Sequence, residues 1–74
     1  MHTVIKGTKT IAEFKALKAY MEQRAREHHE NHRKAVEYWQ EGDISKVWID
    51  SDGVLCIEYE SGKWWHYSEA GEWW

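Results

Sequence analysis

Apolar residues recur along this chain with two different periods. From Ile11 to Trp39 they return at helical spacing, and beyond Ser45 they alternate. Advancing about 100° per residue from Phe14, one stripe collects Ile11, Leu17, Met21, Ala25, His28, His29, His32, Ala35, Val36 and Trp39. Lys18 is its one fully charged member. Thr10 and Glu13 fit a capping box, with the Thr10 hydroxyl accepting from the Glu13 amide. No proline or glycine follows until Gly42, which is placed to stop the element, so the pattern predicts one helix over 10–41.

The second half reads as strands. "SKVWID" and "VLCIEYE" flank Ser51-Asp52-Gly53, and "KWWHYS" follows Ser61-Gly62, both hairpin signals. With Gly53 as the left-handed residue of a three-residue loop, Val47, Ile49, Leu55, Ile57, Tyr59, Trp64 and His66 share the face toward the helix. Trp48, Cys56, Glu58, Trp65 and Tyr67 then share the other. Thr3-Val4-Ile5 is a candidate fourth, edge strand. An echo of the form E-[SA]-G-[KE]-W-W begins at Glu60 and again at Glu69, suggesting a further turn that folds Trp73 and Trp74 back along the sheet edge.

The expected fold is α+β: one long amphipathic helix packed on a three-stranded antiparallel meander. The reading is a single domain over 1–74, with an N-terminal segment 1–9, the helix 10–41 and the meander with its aromatic tail over 45–74. A helix of that length spans about 45 Å, whereas strands of six or seven residues reach about 20 Å. Either the helix bends near Glu30-Asn31, or its uncovered length meets another molecule, a homodimer being the simplest case.

Composition narrows the function classes. Seventy-four residues with 42% hydrophobic and 31% charged positions suit a small globular chain. One cysteine leaves no internal disulfide and points to a reducing, cytoplasmic setting. No spanning segment or secretory signal is visible. The net charge of −3 is unevenly spread: 1–40 hold eight Lys/Arg against five acids, and 41–74 hold two Lys against eight acids. Such asymmetry speaks to partners.

Three chemistries deserve weighing. His28 and His32, four apart on one helix face, are candidate metal ligands with His66 as a third, but the pattern H-E-x-x-H is absent. No cofactor is expected. His28, His29 and His32 together suit a pH-sensitive or dimer contact, because protonation near about 6.5 would charge a stripe that seeks burial. Arg24, Arg26, Arg33 and Lys34 form a basic patch diluted by Glu22, Glu27, Glu30 and Glu37, which makes direct nucleic-acid binding an unfavoured alternative. No serine, and not Cys56, sits in an activating context, so the chain is read as no enzyme.

The favoured reading is a non-catalytic module binding a basic protein partner. Its surface would be Trp48, Trp65 and Tyr67 with an acidic rim of Glu58, Glu60, Glu69 and Glu72. A small acidic chain of this type suits an inhibitor carried by a phage or mobile element, of the anti-defence or anti-CRISPR kind. "SGKWWHYSEAGEWW" also resembles the aromatic hairpins of choline-binding and glucan-binding cell-wall repeats. That resemblance covers less than half the chain and implies rings that cage choline or stack on sugars.

Overall fold

The computed structural model describes every residue except Thr8. It contains a short strand β1 (His2–Thr3), one helix α1 (Ile11–Ala35) and strands β2 (Ile44–Ile49), β3 (Leu55–Tyr59) and β4 (Trp64–Tyr67). The strands form one sheet in the order β1-β2-β3-β4. The α+β class is therefore as expected, but the sheet has four strands and is mixed: β1 runs parallel to β2, with Thr3 opposite Val47.

Thr10 caps α1 as its sequence implies, its side chain accepting from the Glu13 amide at 3.1 Å. The helix is unbroken through Glu30-Asn31 and ends at Ala35, six residues before the expected limit of 41. Val36 leaves in an extended conformation. This early end lets Trp39 fold back, with its indole N–H donating to the Gly42 carbonyl at 2.7 Å and its ring meeting Tyr59 edge-on at 4.8 Å. Burial of a large ring outweighs another turn of helix.

All three loops of the meander have one design. Asp50, Tyr59 and Ser68 each pair with the residue four positions on, and each loop closes through the amide of its third residue, Gly53, Gly62 or Gly71. Those glycines stand nine residues apart with φ of +82°, +92° and +90°. At Gly62 this geometry decides the packing, because the left-handed residue of a three-residue loop sets the register of everything after it. Glu58 pairs with Trp64, Ile57 with Trp65, Cys56 with His66 and Leu55 with Tyr67. Trp65 and Tyr67 thus face the helix, and Trp64 and His66 face away, the reverse of the expected sides. The first hairpin keeps its expected register, with Val47 opposite Ile57 and Ile49 opposite Leu55.

Met21, Ala25, Ile44, Val47, Ile57, Tyr59 and Tyr67 make the core, joined by Leu17, Trp39, Leu55, Trp65 and Trp73 at its margin. An irregularity between Ile44 and Lys46 brings Ile44 to the same side as Val47. From Leu17 onward α1 packs on the sheet and its core. Its first turns overhang, leaving Ile11 76% and Phe14 41% exposed. Thr3 Oγ1 donates to Glu22 Oε2 at 2.6 Å and ties β1 to α1.

Candidate functional site

The six tryptophans divide evenly between the two faces of the sheet. Trp39, Trp65 and Trp73 pack against the core beneath α1. Trp48, Trp64 and Trp74 lie on the opposite side: Trp48 meets Trp64 at 5.4 Å between ring centres, Trp64 meets His66 at 5.0 Å, and His66 stacks on Trp74 at 5.0 Å with planes 5° apart. A row of four rings therefore crosses β2, β4 and the returning tail. Each Trp-Trp pair, 64–65 and 73–74, sends one ring to each face, as alternation along extended backbone requires.

The tail is held by the third loop. His66 and Trp74 exchange backbone hydrogen bonds of 3.0 and 3.2 Å, and Tyr67 forms a bridge with Trp73. Trp73 consequently stacks on His32 at 4.4 Å while Trp74 covers His66. Trp64 and Trp74 remain 48% and 58% exposed. Lys46 extends over the Trp48 ring at 5.0 Å, a cation–π contact beside the row.

The acidic residues expected around the aromatic centre do not form one rim. Glu58 lies on the outer face between Lys46 and Trp64 in register. Glu60 is committed to structure, its Oε1 accepting from the Asp43 amide at 2.6 Å. Glu69 belongs to the helix side, where its carboxylate accepts from the Tyr20 hydroxyl at 3.3 Å, and Glu72 is exposed on the third loop. Trp65 and Tyr67 leave the candidate surface altogether, and the outward rings Trp64 and Trp74 take their place. The repeated x-x-Gly loop spacing was the available signal for this register.

Of the three helix histidines, His28 and His32 are interior groups and His29 is half-buried. His28 and His32 are 5% and 4% exposed, so neither is free for a contact between two copies of the chain. Nor do they form a metal site with His66, which lies on the far face of the sheet. The His28 ring stacks on Tyr67, and its Nε2 accepts from the Arg24 guanidinium at 3.5 Å, which favours the neutral imidazole. His32 Nδ1 and the Tyr67 hydroxyl share a hydrogen bond of 2.7 Å, and the Tyr67 and Tyr59 hydroxyls share another of 2.7 Å. His29 rests on Trp39 and Tyr59, its buried Nε2 without a hydrogen-bond partner. Burial lowers the pKa of all three below the ordinary 6.5. Burial likewise raises the Tyr59 hydroxyl to about 12 and that of Tyr67 further.

Three of the four residues of the basic patch, Arg24, Arg26 and Lys34, are paired with acids of α1 itself. Arg24 pairs with Glu27, Arg26 and Lys18 with Glu22, and Lys34 with Glu30, at 2.7 to 3.8 Å. These exposed pairs add little to stability, but they reduce the field a phosphate backbone would meet. Among the described residues no helix is long and apolar enough to cross a membrane. No protein-family model, curated protein or solved structure matches this chain.

Proposed function

We propose that this chain is a non-catalytic protein-binding module that presents the outer face of its sheet to a basic partner. The observation that carries the reading is the row Trp48–Trp64–His66–Trp74, with two indoles about half exposed on the side opposite the helix. Large rings held rigidly by a sheet lose little conformational entropy on binding and act as anchors in desolvated contacts. Glu58 beside the row and Glu72 on the adjoining loop supply negative charge. The excess of acids over 41–74 would steer a positively charged partner. A cytoplasmic inhibitor of phage or mobile-element type, competing with nucleic acid for a basic groove, is the class that this size and charge suit best.

The test uses the tagged chain and its Trp64→Ala/Trp74→Ala variant as baits in nuclease-treated lysate of the source cells, read by mass spectrometry. The reading expects one dominant protein on the parent bait, lost from the double variant and weakened on Glu58→Lys, yet retained by Ile11→Ser at the far end of α1. Equal capture by parent and double variant would move recognition to another surface. Material captured only when nuclease is omitted would assign the chain to nucleic acid.

A further inference from the structure

Beside the aromatic row, three potential ligands converge from three strands. Asp50 at the end of β2, Cys56 on β3 and His66 on β4 each offer one ligand atom, all within 4.8 Å of one another. His66 Nε2 lies 3.6 Å from Asp50 Oδ2. What makes the cluster more than a coincidence of residue types is how each group is oriented.

His66 Nδ1 is 3.3 Å from the backbone oxygen of Trp74. That oxygen can only accept, so Nδ1 carries the proton, and in the neutral ring Nε2 presents a lone pair. A lone pair facing a carboxylate oxygen is unfavourable unless a proton or a cation lies between them. The Trp74 ring stacked on the imidazole fixes its plane. Asp50 divides its two oxygens: Oδ1 accepts from the amides of Asp52 and Val54, both at 2.9 Å, and Oδ2 turns to the histidine. Cys56 is fully buried yet stands outside the core cluster beneath the helix. Its thiol has only a weak contact of 3.6 Å to the Val54 carbonyl. A histidine held by a carbonyl on one nitrogen, with the other turned to its co-ligands, is the arrangement metal sites use to set tautomer and direction.

We propose that Asp50, Cys56 and His66 form a three-ligand site for zinc or a similar divalent metal ion, with a fourth position left to water. Zinc takes sulfur at about 2.3 Å and nitrogen or oxygen at about 2.0–2.2 Å, so tetrahedral ligands stand about 3.3–3.6 Å apart. The Asp50–His66 edge already has that length, and the remaining edges close by about an ångström of side-chain motion. One carboxylate and one thiolate balance the two charges of the ion, so the loaded site is neutral, as burial demands. On binding, the Cys56 S–H bond breaks, a sulfur–metal bond forms, and the proton passes to water. His66 belongs both to this site and to the aromatic row, but the site does not rest on partner binding and is tested on the purified chain alone.

Metal-free protein, kept reduced with a non-chelating phosphine, is titrated with cobalt(II) and then with zinc. Expected is one equivalent of cobalt with intense tetrahedral visible bands and a thiolate-to-cobalt charge-transfer band in the near ultraviolet, both removed by zinc. Because the chain has a single cysteine, that band assigns the ligand without any variant. Asp50→Asn keeps an Oδ1 for the loop while removing the second oxygen, and should weaken cobalt binding at least tenfold with an unchanged circular dichroism spectrum. Cys56→Ser should abolish the charge-transfer band. If Cys56→Ser fails to fold, the parent spectrum and Asp50→Asn decide. A spectrum of octahedral cobalt without charge transfer, or affinity unchanged in Asp50→Asn, would overturn the proposal.

Discussion

At the scale of single residues, the histidines of α1 answer to the rings around them. In the stripe they occupy leucine positions, and in the fold they serve as flat, polar core members among Tyr59, Tyr67, Trp39, Trp65 and Trp73. Tyr67→Phe should cost about 1–3 kcal/mol in urea unfolding, because both His32 Nδ1 and the Tyr59 hydroxyl lose their shared partner inside the core. Stability should also fall on mild acidification. In the unfolded chain these histidines titrate near 6.5, while burial lowers them in the fold. The unfolded chain therefore binds more protons as pH drops, so this contribution is complete above about 6.5 and is lost as pH falls toward the folded values. Denaturation midpoints between about pH 7.5 and about pH 5 should decline, and His28→Leu should flatten that slope; a midpoint constant across this range would contradict the assignment. Glu22, whose pKa is lowered chiefly by the Thr3 hydrogen bond, adds a loss of the same sign, present above the ordinary carboxylate range and given up only at more acid pH.

The element scale shows what the sequence could and could not disclose. The helix start was legible because Thr10 and Glu13 are a local device. The first hairpin admitted two registers, and the observed one is that in which Val47, Ile49, Leu55 and Ile57 share a face, where a two-residue loop would have exchanged Trp48 for Val47 and Ile49. Trp64-Trp65-His66-Tyr67 has large rings at both parities, so alternation alone could not say which face turns inward. Loop length could, and the spacing of Gly53, Gly62 and Gly71 was visible as a nine-residue interval. The helix end was harder, since Val36 and Trp39 continue the stripe, yet the helix stops at Ala35 and Trp39 packs on Tyr59. Gly62→Ala should destabilise by about 1–2 kcal/mol through the left-handed backbone it would force on alanine. Gly62→Asn should cost less, as asparagine tolerates that region. Along α1 the covered and overhanging parts should respond differently in unfolding experiments. Met21→Ala, in the core, should cost about 2–5 kcal/mol, whereas Phe14→Ala on the overhang should change stability by about 0.5 kcal/mol. Equal losses would mean that the helix is seated over its whole length.

Across the whole molecule, a chain with limited aliphatic content uses its rings twice. Three tryptophans close the helix side, and three more mark the outer face of the same sheet. Nothing in α1 covers that outer face, and Ile11 and Phe14 stand exposed at the N-terminal end of α1. Recognition is assigned to the outer rings. Its most direct test is to follow the six indole N–H signals by NMR while the protein captured by the tagged chain is added. Trp48, Trp64 and Trp74 should shift or broaden, and Trp39, Trp65 and Trp73 should hold their positions. Changes confined to the inner three, or binding with all six unmoved, would contradict the claim.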